Sequence, residues 1–460
     1  MKVKRLKMTS FRGISDLMLE FDADEPTVLI GINGVGKSSI LDCLAIVLCP
    51  LIELIRRNPD FYESLDKNSI VPSFTWLDIK NGCNNVHSEI TISSDGFQDV
   101  SWSRITTYKE RHIETNSDII QLKSFAANIH NQLKTNPTVT VPLVVYYPVN
   151  RAVLDIPLEL PKQHPLTGIS DEETYDDWDS QPQFPNLAAM RVIYPVDVID
   201  QIDAYAQALT EKQIGYVRFF QWFRALEDVE NEERRDNPDY RDRQLEAVRQ
   251  AISLLMPGFS NLRVRRSPLR MTAKKQGQEL IVNQLSDGEK CLLAMVGDLA
   301  RRLAIANPGL PDPLQGEGVV LIDEIELHLH PKWQREIIPA LTRTFPNCQF
   351  IVTTHSPQVI SEVKPNGIYI LEATSEGVVA KRPESSFGRD SNRILEDLMG
   401  VPARPQEIKD ELLELFRLID KGDLDGAKQL RQQIADQIGT DEPEFVRADV
   451  LMRRKEILNR

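Results

Sequence analysis

The stretch PTVLIGINGVGKSSILDCLAIVL, beginning at Pro26, limits what this chain can fold into more than any other. An apolar strand-like run ends in a glycine loop of the form G-x-x-x-x-G-K-[ST], and an apolar helix-like run follows. Gly31, Gly34 and Gly36 let successive backbone N–H groups turn inward on a polyphosphate, with Asn33, Val35 and Ser39 completing the segment. A helix starting at the lysine adds roughly half a positive charge at that point. Lys37 is placed to neutralise β- and γ-phosphates, and the Ser38 hydroxyl to enter a magnesium shell. Strand, loop and helix in this order imply an α/β fold.

Three further motifs follow in the second half. The apolar run Val319–Ile322 ends in Asp323-Glu324, and open α/β sheets bind ligands at the carboxyl ends of their strands. Asp323 suits a magnesium ion held through water, and Glu324 suits a general base on an attacking water. The same pair could also cap the next helix. Leu285-Ser286-Asp287-Gly288-Glu289-Lys290 opens a helix 37 residues before Asp323. Ser286 with Glu289 makes a capping box, and a capped helix start is also an anion site. Finally, CQFIVTTHS is an apolar run that ends at His355.

Composition sets the class. With 460 residues, 41% hydrophobic and 27% charged, the chain can bury a substantial core. The start MKVKRLKMTSFRG has no apolar signal segment, and no run of 18 apolar residues occurs, so a soluble, cytoplasmic protein without a membrane span is expected. A net charge of −14 argues against general coating of nucleic acid. Five cysteines without a CxxC pair suggest unpaired buried thiols.

Pattern and motif order divide the chain into 1–150, an N-terminal part with the phosphate loop; 151–255, a helical insertion with an acidic loop; 256–388, a C-terminal part with the Ser286, Asp323 and His355 motifs; and 389–460, a helical tail. Strands are expected at 2–21, at 88–107 with a turn at Ser94–Gly96, and fully buried over Thr138–Arg151. Residues 163–190 lack Lys and Arg and read as a solvated acidic loop. The tail repeats Ile408, Leu412, Leu415 and Ile419, then Leu424, Ala427, Ile434 and Ile438, at helix-face spacing.

Taken together, these motifs resemble the ABC-type soluble ATPases of the SMC- and OLD-like branch. The resemblance implies an ABC-type P-loop core with a mixed sheet, ATP and Mg2+ as ligands, and two subunits sandwiching two nucleotides head to tail. Ser286 and Gly288 would then bind the γ-phosphate held by a partner copy. His355 takes the γ-phosphate-sensing histidine position, and Arg12, in SFRGI, matches the arginine that reaches the phosphates. His328 and His330 fall in the inter-subunit loop of the family. The family's glutamine lid is replaced by Pro148-Val149-Asn150-Arg151. The run Arg263, Arg265, Arg266, Arg270, Lys274, Lys275 could serve DNA or RNA. Asp423-Leu424-Asp425 recurs in nuclease sites but reads more simply as a helix cap.

No long coiled coil and no cutting domain is evident. The proportions resemble the PtuA ATPases of Septu-type anti-phage defence, including those attached to retrons. That family implies a homo-oligomer that recruits a small HNH nuclease, with retron nucleic acid or DNA as a further partner. The alternatives are a DNA-repair ATPase acting directly on DNA, or a nucleotide-locked scaffold with little turnover.

Overall fold

The computed structural model describes residues 1–56, 72–94, 98–109, 112–136, 138–149, 201–209, 216–375 and 377–458. The acidic stretch 163–190, most of the Ser94–Gly96 turn, Asn150 and Arg151 lie outside them. The described chain forms two compact units, Met1–Gly388 and Arg389–Arg460.

In the first unit, β1 (Lys2–Phe11) and β2 (Ile14–Glu20) pair antiparallel around the Arg12-Gly13 turn. Their inward residues Leu6, Met8, Leu17 and Leu19 are buried. β3 (Thr27–Ile30) runs into the glycine loop and α1 (Lys37–Arg56). α1 continues through Pro50, which lacks an N–H for the carbonyl of Ile46. Arg104 donates to that carbonyl at 3.0 Å, and the Trp102 indole donates to Val47 O at 2.7 Å. Two side chains from a neighbouring strand thus replace helix bonds, and the proline is tolerated.

β4 (Asn85–Ser93), β5 (Val100–Lys109) and β6 (His112–Asp118) complete a five-stranded antiparallel sheet in the order β2-β1-β4-β5-β6. β6 leads into α2 (Ile120–Thr135), which buries Leu122, Phe125, Ala126 and Ile129. The strand expected over Thr138–Arg151 is shorter than that reading: β7 spans only Leu143–Tyr147, bracketed by Pro142 and Pro148, neither of which can donate to a ladder.

Within the stretch read as a helical insertion, α3 (Tyr216–Asp236) and α4 (Arg243–Leu255) flank a turn at Asn237–Asp239, and Asp242 caps α4 by accepting from Leu245 N at 2.9 Å. They lie on the core, with Phe219 and Phe223 buried. β8 (Phe259–Arg266), β9 (Leu269–Lys275) and β10 (Gln278–Ile281) form a small antiparallel sheet, which leads into α5 (Asp287–Ala306).

β11 (Gly318–Ile322), α6 (Pro331–Thr344), β12 (Cys348–Thr353), the single turn α7 (Pro357–Ile360), β13 (Ile368–Thr374) and β14 (Gly377–Lys381) follow. They build a six-stranded mixed sheet in the order β14-β13-β3-β12-β11-β7, antiparallel only at β14. Because β3, β12, β11 and β7 are parallel neighbours, the glycine loop, His355, Asp323 and Tyr147 all emerge at one edge.

α1 lies between the two large sheets. Leu44, Leu48 and Leu51 share one buried cluster with Leu6, Ile90 and Trp102 on one side and Val144, Leu321 and Ile351 on the other. Each such side chain contributes about 1.5–3 kcal/mol on burial. Among the described residues α1 alone is long and apolar enough to cross a membrane, yet 83% of its apolar window is buried inside the protein.

The second unit holds α8 (Ser391–Asp397), α9 (Gln406–Lys421), α10 (Leu424–Ile438) and α11 (Pro443–Leu458). Leu412, Leu415, Ile419, Ala427, Ile434, Phe445 and Met452 form its own core. Asp423 caps α10, accepting from Gly426 N at 3.0 Å, which accounts for the Asp-Leu-Asp triplet.

Candidate functional site

The glycine loop folds around its own lysine. Lys37 is 6% exposed, and its Nζ donates to Gly31 O at 2.9 Å and Ile32 O at 3.0 Å. Burial pulls its pKa below the ordinary lysine value, while the carboxylates of Asp323, Glu324 and Glu326 pull it back up. Among the described residues no carboxylate forms an ion pair with it. A buried ammonium satisfied by two neutral carbonyls, at the start of a 20-residue helix, fits a bound polyphosphate. Gly31 is required in that loop: its φ is +149°, and a Cβ there would meet Leu371 O at 2.6 Å. Asn33, Gly34 and Ser38 are exposed at the mouth, Gly36 and Ser39 are half-buried, and Val35 is buried beneath them.

Asp323 is buried at the end of β11, and its N–H donates to Tyr147 O at 2.9 Å. The Thr353 hydroxyl donates to Asp323 Oδ1 at 2.5 Å and accepts from Glu324 N at 2.7 Å. One hydroxyl thereby fixes both acids. Glu324 sits in the left-handed region with φ 47°, a conformation costing of order 1–3 kcal/mol in a non-glycine residue. Ser38 and Asp323 are the side chains that could hold Mg2+. Two protein ligands suit this ion, which keeps waters and takes substrate oxygens.

His355 leaves β12 beside this pair. Its N–H donates to Glu326 Oε1 at 2.5 Å, and the preceding Thr354 hydroxyl donates to Glu326 Oε2 at 2.7 Å. Glu326 therefore sets the turn that carries His355. Glu326 and Thr353 were missed in the sequence, although Glu326 stands only two residues beyond Glu324.

Arg12 lies on the β1–β2 turn, with φ 49°. Its guanidinium donates to Asp42 Oδ2 at 2.5 Å, to Asp78 Oδ1 at 2.9 Å and to Ser39 Oγ at 3.5 Å. The two acids hold it beside the first turns of α1. Tyr146 OH donates to the other oxygen of Asp42, Oδ1, at 3.0 Å, and so joins the end of β7 to the same cluster. No sequence pattern marked Asp42, Asp78 or Tyr146, which come together only through the sheet order.

Ser286 and Gly288 stand apart from the loop. Ser286 is exposed and caps α5, accepting from Glu289 N at 3.4 Å. Gly288 is buried against the segment after Glu324: a Cβ there would lie 2.2 Å from His328 O. Among the described residues no hydrogen bond or ion pair joins either to Gly31–Ser38. His328 is exposed, and His330 Nδ1 caps α6, accepting from Lys332 N at 3.2 Å.

Deeper in, Tyr147 OH donates to Asp298 Oδ2 at 3.0 Å, and Asp298 is also held by Arg301 and Arg302, each at 2.6 Å. This buried network ties β7 to α5. Half of the six-residue basic run is paired: Arg265 pairs with Glu279, Arg266 with Glu227 and Asp228, and Lys275 with Glu289. Arg263 lines a polar cavity of about 810 Å3 together with Glu227, Glu230 and Arg249.

The family described as "AAA domain" matches residues 5–256, more than half of the chain. A second, described as "AAA domain, putative AbiEii toxin, Type IV TA system", matches residues 197–361. The chain is 30% identical to the "Retron Ec83 probable ATPase" of Escherichia coli, over 97% of this chain and 85% of that protein. It is also 30% identical to the "Retron Vc95 probable ATPase" of Vibrio cholerae serotype O1 biovar El Tor, over 93% and 85%. A shorter match, 32% identical over 27% of this chain and 33% of the other, is to "Septu protein PtuA" of Bacillus thuringiensis. The chain therefore belongs to the AAA-domain ATPases, in the group that holds the retron probable ATPases, and a shorter stretch of it is similar to PtuA.

Proposed function

We propose that this chain is an ABC-type P-loop ATPase that binds and hydrolyses ATP with Mg2+ at head-to-tail interfaces between two copies. Through that cycle it controls a separately encoded nuclease of HNH type in anti-phage defence. The observation that carries the nucleotide half is Lys37: a buried ammonium whose hydrogen-bond partners among the described residues are two neutral carbonyls, in the field of Asp323, Glu324 and Glu326.

Phosphates entering the loop take over the Lys37 donors now spent on Gly31 O and Ile32 O. Ser38 and Asp323 would hold Mg2+, and the ion would supply positive charge to offset that developing on the transferred phosphoryl group. Glu324, its backbone fixed by Thr353, accepts a proton from the attacking water. His355, on the turn fixed by Glu326, and Arg12, beside Ser39, respond to the γ-phosphate. Ser286 and Gly288 of a second copy close over the nucleotide from the exposed start of α5. Closure then changes how the copies face their partners.

The similarity to retron and Septu proteins supports the defence role, and a cytoplasmic setting belongs to the same reading. Retron nucleic acid or DNA is a further partner, reached through the assembly, since half of the basic run is paired within the chain. Affinity purification of the tagged chain from its native locus, after nuclease treatment, tests the partner half. A stoichiometric small HNH protein is expected. Recovery of the chain alone, with DNA retained only when nuclease is omitted, contradicts it and favours direct action on DNA.

A further inference from the structure

Beside the glycine loop, two large apolar side chains are held in the solvent. The 3-10 turn Trp76–Asp78 leaves Trp76 60% exposed and Leu77 65% exposed. Neither end of this turn is free to swing. On one side Phe74 is buried, edge-on to Phe11 at 5.6 Å between ring centroids and with the Arg104 guanidinium 5.9 Å above it. On the other side Asp78 is buried. One of its carboxylate oxygens accepts from the Thr75 hydroxyl and N–H, both at 2.8 Å, and the other from Arg12 Nε at 2.9 Å. Its carbonyl also accepts from Arg12 N at 2.8 Å.

The position is as informative as the exposure. The arginine that grips Asp78 also reaches Ser39 Oγ at 3.5 Å, one residue beyond Ser38. Trp76 thus stands two residues from a carboxylate that shares its arginine with Ser39, at the start of α1. Ile32 of the loop itself is 65% exposed as well. A triphosphate seated on Lys37 leaves its sugar and base projecting past the loop, and an exposed indole on that fixed turn offers a face on which a purine can stack.

We infer that Trp76 is the base-stacking residue of the nucleotide site, with Leu77 and Ile32 as its apolar flanks, so that it sets affinity for a purine nucleotide without touching the phosphates. This rests on the reading of Gly31–Ser38 as the ATP site. The test compares ATP with inorganic tripolyphosphate, which lacks a base, on the full chain and its Trp76→Ala and Trp76→Phe variants. Trp76→Ala is expected to weaken ATP binding roughly tenfold, the scale of one base–aromatic stack, while tripolyphosphate affinity stays within about twofold. KM for ATP rises with kcat nearly unchanged, and Trp76→Phe restores most of the affinity.

Three results would overturn the inference. One is unchanged ATP affinity in Trp76→Ala. Another is equal loss of ATP and tripolyphosphate, which would mean that the turn merely props the loop. The third is unchanged affinity with loss of self-association, which would assign the patch to a second copy. Failure of the wild-type chain to bind either ligand, with Lys37→Ala making no difference, would instead bring down the nucleotide-site reading on which the inference stands.

Discussion

Asp323 and Glu324 are adjacent in sequence but differently placed. Asp323 is buried with its carboxylate pinned by Thr353, whereas Glu324 is half-buried in a left-handed backbone held by the same threonine. One is set up to stay fixed beside a cation, the other to meet a water. Glu324→Gln removes the proton acceptor and keeps the size and most hydrogen bonds. It should therefore bind ATP about as well as wild type and release phosphate roughly 10²–10⁴-fold more slowly. Parallel nucleotide-binding and phosphate-release assays read both quantities, and hydrolysis at the wild-type rate would exclude Glu324 as the base. At this scale the sequence was legible wherever a motif is local. Gly31 to Ser38, Asp323 and His355 announce themselves by spacing from a strand end. Thr353, Glu326 and Asp42 do not, because each acts on a residue brought to it by sheet order, and a single Thr, Glu or Asp carries no signal of its own.

Among the elements, β7 is where reading and structure part most. Its β-branched and aromatic run suggested a long buried strand, but Pro142 and Pro148 confine it to five residues. α1 shows the opposite case: Pro50 alone would argue for a break, and Arg104 and Trp102 supply the missing bonds from β5. Such compensation is tertiary and cannot be seen in a local window. β7 also carries a link to α5 through Tyr147 and Asp298. Burial alone would raise the Asp298 carboxyl, but Arg302 and Arg301 outweigh it and hold it well below the usual carboxylate range. Its contribution to stability is therefore fully present above the ordinary carboxylate pKa and is lost as pH falls through the lower folded value. Asp298→Asn takes from two buried arginines the carboxylate they share and should cost about 3–5 kcal/mol. Denaturant unfolding should show that gap constant from pH 5 to 8 and narrowing below about pH 4. A gap under 1 kcal/mol at pH 7 would mean that the network does not hold α5 to β7.

On the scale of the whole molecule, the order of the motifs was readable from end to end, whereas their assembly was not. Within one chain the sheet gathers Lys37, Asp323, Glu324 and the His355 turn at one edge, while Ser286 and Gly288 face elsewhere on α5. Half of the proposed site is thus complete in a single copy; of the other half, Ser286 is exposed and Gly288 packs against the His328 carbonyl. The tail has its own core and was legible from its helical spacing alone. What a second copy adds can be tested by mixing two variants with defects in opposite halves, Lys37→Ala and Ser286→Arg. Ser286 is exposed, so its replacement costs only the cap, about 1 kcal/mol, and leaves the fold intact. Each variant alone should be inactive. An equimolar mixture should recover about a quarter of wild-type ATP turnover, since half of the pairs are mixed and each mixed pair holds one intact site of two. A mixture as inactive as its separate components, or Ser286→Arg alone turning over at the wild-type rate, would contradict a nucleotide site shared between copies.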